Sequence, residues 1–332
     1  MSILIRKYHG EMHFSGIAKL GLIGMLGALS ASLITTIWAV YLDSFLNDIS
    51  KVGLISAFLT LIGIISYFLF IPLIERLSKS KLFLISLILT AITYIVFSFT
   101  ESFGIFLIIA IIMTMIYTIR LTCFGLIIKD KSRKSKLSEN EGLIYTFTNS
   151  AWIIGPLIAG YLSSKYGNSI IFLIAALLLF ASFFIFNIYK IKDNNVKKKI
   201  DKSIIKNFLD FFKNKERRIS YAMGSGVSFW WMLIYLFIPL YIIRSGLSKL
   251  WIGYFLFALP IPLILFELKF SRIAKKHGFK KLFQLGFLIA GIAALICFFL
   301  TDIYMILGVL VLGSFGLAML EPTTEAYFFK IS

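Results

Sequence analysis

Charge is scarce in this chain, and acid is scarcer than base. Only 15% of the 332 residues are Asp, Glu, Lys or Arg, while 59% are hydrophobic. A water-soluble domain of that length could not keep so much apolar surface from solvent, so a soluble fold is excluded. Cysteine is limited to Cys123 and Cys297, each inside an apolar run, where they read as packing residues rather than a disulfide. Of the three histidines, His9 and His13 flank Glu11 and supply too few ligands for a metal site. No His, Cys or carboxylate cluster has catalytic or metal-binding spacing, and no phosphate-binding glycine loop is present. An enzyme and an ATP-driven pump therefore have no basis, and no cofactor or metal is expected.

What is abundant is long apolar sequence. Mean hydropathy is +0.91. A hydrocarbon layer roughly 30 Å thick needs about 20 apolar residues per helix, and many runs reach that length. Ten spans are expected, at about 15–41, 52–74, 82–99, 103–128, 142–163, 169–189, 219–243, 250–270, 281–300 and 303–328. The net charge of +18 is dispersed between these runs rather than gathered on one face, which argues against nucleic acid as a partner. Of the 34 basic residues, Lys19 and Arg120 fall within spans, and Lys51, Lys165, Arg244 and Lys249 lie on one side. The remaining 28 lie on the other. Basic residues concentrate on the cytoplasmic side, so both termini are expected there, in a multi-pass protein of the plasma membrane. The longest polar stretch, 190–218, places Ile200, Ile204, Ile205, Phe208, Leu209 and Phe212 opposite Lys202, Lys206 and Lys213. That spacing fits a helix lying on the lipid surface, or an ordinary solvated linker.

The two halves resemble one another. Residues 71–83 and 271–283 align without a gap at an offset of 200, and at that offset Gly24 meets Gly224 and Tyr41 meets Tyr241. Residues 120–129 align with 321–330 at an offset of 201, so Arg120 meets Glu321. A parallel repeat implies a pseudo-twofold axis along the membrane normal.

On these residues the sequence resembles the major facilitator superfamily of secondary transporters. The loop with Glu75, Arg76, Lys79 and Lys81 is similar to the family's basic signature, with Ile71 and Ser78 in place of its glycines. Its second copy carries Lys275, Lys276, Gly278 and Lys281, with Lys275 where the acid belongs. Gly155, Pro156 and Gly160 resemble the family's antiporter-associated Gly-Pro motif. The resemblance implies an all-α membrane fold of two parallel helix bundles. The expected organisation is a six-helix bundle over 1–190, a basic linker over 191–218 and four helices over 219–332. The family pattern has twelve spans, so a fragment, a split gene or a chain completed by another is implied, a fragment being favoured.

The resemblance further implies alternating access, with efflux of a small hydrophobic or amphipathic solute coupled to protons or another ion. Import by the same fold, and a non-transporting remnant or assembly partner, are the alternatives. Charge inside hydrocarbon costs at least roughly 2.5–3.5 kcal/mol for a central arginine. Arg120 is therefore the leading gate or coupling residue, paired with Glu321 and aided by Glu325, with Glu267 as a further intramembrane acid. Arg120 also resembles the fourth-span arginine of proton-coupled members. Trp38, Asn149, Trp152, Trp230, Trp231 and Tyr235 lie on the first, fifth and seventh spans, which line the cavity in this family, and are the expected substrate contacts.

Overall fold

The computed structural model describes residues 16–132, 137–191 and 204–331, and every regular element among them is helical. Six long helices come first: α1 (Gly16–Leu46), α2 (Ile49–Arg76), α3 (Lys79–Phe99), α4 (Phe103–Lys131), α5 (Leu137–Tyr166) and α6 (Asn168–Ile188). A short α7 (Ile204–Lys213) precedes α8 (Lys215–Met232), a π-helical turn at Leu233–Phe237, and α9 (Ile238–Arg244), which together form one span. Then come α10 (Lys249–Ala258), α11 (Ile261–His277), α12 (Phe279–Phe299) and α13 (Ile303–Ile331). Ten helical segments are long and apolar enough to cross a bilayer, the number expected from hydropathy.

The interruptions follow from proline. Pro239 has no N–H to give, and its ring crowds the preceding turn, so the chain widens into a π turn just ahead of it. Pro260 and Pro262 break the eighth span between α10 and α11, where one continuous run over 250–270 was expected. Polar caps begin other helices: Asp48 accepts from the N–H groups of Ser50 and Lys51, and Asn214 from those of Glu216 and Arg217.

The repeat is visible in the helix boundaries. α3 and α12 run over 79–99 and 279–299, and α4 and α13 over 103–131 and 303–331. Each pair is displaced by 200 residues. Two separate apolar cores result. One joins α1–α6 around Phe97, Phe106, Phe172 and Phe186; the other gathers Trp230, Ile252, Phe255, Leu310 and Leu317.

Outside these cores the surface is also apolar, with Leu54, Ile108, Leu177, Phe184, Leu288 and Leu312 exposed. Only lipid makes such a surface favourable. With no hydrophobic force between helices in lipid, close packing and hydroxyl groups hold them together. Gly21 and Gly24 of α1 admit Phe147 and Phe124, and Gly155 of α5 sits against Ser32. Ser30 donates to the carbonyl of Ala175 at 2.8 Å, and Tyr41 to that of Phe97 at 2.8 Å. The polar stretch after the sixth span is helical at α7, where Phe208 packs edge-on against Phe68 of α2. Ile200 and Lys202 lie outside the described residues.

Candidate functional site

The two cores meet at one end of the molecule. Among the described residues, the first six helices pack on the second set chiefly through α1 and α5, against the π turn, α9 and α10. α5 and α10 cross backbone to backbone: a Cβ on Gly253 would lie 2.6 Å from the Pro156 carbonyl oxygen and 3.1 Å from Gly160 Cα. Beside this crossing, Arg244 donates to both carboxylate oxygens of Asp43 at 2.8 and 3.2 Å, and Lys249 donates to Asn168 at 2.8 Å. All these contacts lie at the end carrying the short connections around Asp48, Gly167 and Gly246. At the other end, which carries the basic loops, α4 and α5 make no extensive packing with α11 or α13 among the described residues.

Asp43 and Arg244 are 201 residues apart, the same separation as Arg120 and Glu321. The two lie at corresponding ends of the first and seventh spans, one residue out of the register that pairs Tyr41 with Tyr241, and form one closed latch here. The pair is partly exposed, and such pairs contribute about 0.2–1 kcal/mol. Asp43→Asn or Arg244→Gln is therefore expected to raise labelling of a cavity cysteine by a membrane-impermeant thiol reagent applied from that end. The expected increase is about 1.4-fold to fivefold, from that range; unchanged labelling would remove the pair from the closure.

Two adjoining cavities are present. The first, about 420 Å³, is walled by the first six helices and runs from Trp152 to Glu141. Its lining is mostly apolar and aromatic, including Phe83, Leu87, Tyr117, Phe124 and Ile128, with Arg120 on its wall. The second, about 450 Å³, lies between the halves and includes Trp38, Tyr94, Met113, Met232 and Tyr235. Tyr117 lines both. Each is of the size that holds a small organic molecule.

Arg120 is only 6% exposed. Its guanidinium stacks on the Tyr117 ring at 5.1 Å, and Tyr94 is close enough to interact with it electrostatically. Nη1 is buried without a hydrogen-bond partner, and no carboxylate among the described residues is within ion-pair distance. The expected pair with Glu321 is not formed in this conformation, because α4 and α13 are apart at the open end. Glu321 is half-buried and within electrostatic reach of Tyr235. The side chains of Glu325, Glu267 and Lys275 lie outside the description, though α13 and α11 carry their backbone.

The expected aromatic contacts divide. Trp38 lines the second cavity and Trp152 the first, and Trp152 meets Tyr235 edge-on at 6.1 Å across the halves. Trp231 stacks on Tyr235 at 5.6 Å. Trp230 points the other way, buried in the second core where Gly313 makes room for its ring. Consecutive helical residues diverge by about 100°, so only one of the two tryptophans can face Tyr235, and neither lines a cavity. Asn149 is exposed and lines neither cavity.

The basic loop is organised by a residue that sequence reading passed over: Lys79 pairs with Asp130 at the end of α4. Glu75 has its Oε2 buried without a hydrogen-bond partner, while Arg76 and Lys81 are exposed. Lys276 and Lys281 are exposed, and Gly278 takes the left-handed backbone (φ 85°) that ends α11. Gly155, Pro156 and Gly160 are buried, and Gly253, the partner of Gly160, was not anticipated. Only an unremarked glycine in an apolar run could have signalled it.

Comparison with known proteins agrees with this architecture. The family model described as Major Facilitator Superfamily matches residues 20–332. The chain belongs to that superfamily, and membrane transport is the activity this membership supports. A POT family transporter in complex with a thioalcohol-conjugated peptide has a similar structure: 14% identity, TM-score 0.75, covering 94% of this chain and 83% of that one. The nucleoside transporter NupG, as a point mutant, is similar at 16% identity and TM-score 0.72, over 94% of this chain and 81% of that one. So is a bacterial homolog of the human lysosomal transporter Spinster, in an inward-facing and unoccupied conformation, at 15% identity and TM-score 0.70. That likeness covers 94% of this chain and 74% of that one. Identities this low speak for the fold alone. No curated protein matches the sequence.

Proposed function

We propose that the protein is a secondary transporter that exports a small amphipathic solute by alternating access, coupled to protons or another ion. The observation that carries this reading is the pair of adjoining cavities, aromatic and apolar, one walled by the first six helices and one between the halves, beside two helix sets that pack together, among the described residues, chiefly at one end. The open side carries the basic loops, and the sequence assigns 28 basic residues to that face, which supports reading it as cytoplasmic by the positive-inside rule and this conformation as inward-facing. Closing the cytoplasmic end would bring α4 toward α13 and Arg120 toward Glu321, while the Asp43–Arg244 latch and the α5–α10 crossing part. The peptide and nucleoside transporters of similar fold are consistent with small organic cargo.

The test is flux in proteoliposomes, using cationic, neutral and anionic fluorescent dyes of matched hydrophobicity, with and without an imposed pH gradient. At least one dye should move faster than in protein-free liposomes, and faster again with the gradient outside-acid. Rates equal to those of protein-free liposomes for every dye would refute transport of this class. A protein-dependent flux favouring uptake would replace export by import.

A further inference from the structure

The first cavity is short of polar groups that are free to act. Its two aliphatic hydroxyls are committed: Ser182 donates to the Ile23 carbonyl at 3.3 Å, and Thr148 to those of Ile144 and Tyr145 at 3.2 Å. Arg120 is the one cation on the wall of either cavity among the described residues. It is nine-tenths buried, stacks on Tyr117, and carries Nη1 without a partner. A guanidinium cannot shed its charge, and buried charge is stable only when paired. Tyr117 stacks on its plane, and Arg120 lines a chamber that is otherwise largely apolar. Glu141, the other charged group of the lining, is exposed at the mouth.

We propose that Arg120 is the docking point for the solute's anionic group, so that the cargo is an amphipathic carboxylate whose apolar body lies along Phe83, Leu87, Phe124 and Trp152. This rests on the transport reading and narrows its substrate class. A carboxylate matches the guanidinium through two parallel hydrogen bonds, and each is strengthened by the dry wall around it. A small inorganic anion would fill the fork but leave the aromatic chamber unused, and would lose its hydration without compensation. The same guanidinium faces Glu321 when the cytoplasmic end closes, so solute and Glu321 compete for it.

The test is binding to the purified, detergent-solubilised full chain, with phenylbutyrate, phenylbutyramide and inorganic phosphate as probes and Trp152 fluorescence as the readout. The wild type should bind the carboxylate at least tenfold more tightly than the amide, with phosphate displacing neither. Arg120→Gln should make carboxylate and amide equal, and Arg120→Lys should keep a reduced preference for the carboxylate. Equal binding of carboxylate and amide to the wild type would overturn the proposal, and needs no variant to fold. So would a preference that persists in Arg120→Gln, or displacement of both probes by phosphate. Failure of the transport reading is separate: a carboxylate preference with no flux would leave this site standing as a binding site. Flux of the dyes with no carboxylate preference would remove this site and leave transport intact.

Discussion

Gly253→Val is expected to lower transport by one to two orders of magnitude without unfolding the protein. The argument is steric. The added Cβ would meet the Pro156 carbonyl oxygen at 2.6 Å and Gly160 Cα at 3.1 Å, and both are backbone atoms within helices. No rotamer change relieves such a contact, so α5 and α10 must separate. Overpacking of this kind costs about 1–3 kcal/mol. That cost falls only on the conformation in which the outer end is sealed, because the crossing is undone when that end opens. A bias of about 1–3 kcal/mol shifts a two-state equilibrium by about 5–150-fold. Proteoliposome flux measures the loss. Labelling of a cysteine at Tyr145, on the open-end part of the first cavity, should fall in parallel. Retention of wild-type flux would mean that the crossing is not part of the closure.

Arg120→Met is expected to abolish solute movement while raising thermal stability. The two effects have one cause. Arg120 is a buried cation whose immediate surroundings are tyrosine rings and apolar side chains rather than a carboxylate. Replacing buried ionic groups by well-packed apolar ones is often stabilising, by about 1–4 kcal/mol. Methionine is close to arginine in length and adapts to irregular space, so the helix packing around α4 should tolerate it. The unfolding midpoint in detergent should therefore rise by several degrees as flux falls to background. A destabilised variant would show instead that the guanidinium holds α3 and α4 together through Tyr94, with its role in the cavity secondary.

Much of the architecture was legible in the order of residues. Apolar run length depends on bilayer thickness alone, so ten spans could be counted, and the 200-residue repeat reappears in the bounds of α3 and α12 and of α4 and α13. Arg120 stood out because charge is costly in hydrocarbon, and the structure places it on a cavity wall. What could not be read was which helices touch. Gly253 is an ordinary glycine until α10 is laid across α5, and Asp43 and Arg244 look like loop-edge charges until the fold brings them together. Asp130 was passed over because its partner, Lys79, is in a different loop. Trp230 and Trp231 are neighbours in sequence, and only the rotation of α8 decides which one faces Tyr235. The π turn before Pro239 is likewise a tertiary choice, since a proline can kink a helix or be absorbed by a widened turn.

The central claim is that two helix sets rock about a cavity, so that one end closes as the other opens. Its most direct test is a pair of spin-label distances in a background with Cys123 and Cys297 replaced. One pair, Glu101 and Asp302, sits on exposed connections at the sealed end, and the other, Leu77 and Lys280, is exposed at the open end. In reconstituted protein each pair should show a shorter and a longer population, and Gly253→Val should lengthen the first distance while shortening the second. A single fixed distance at each end, or two distances that lengthen together, would contradict alternating access in this protein.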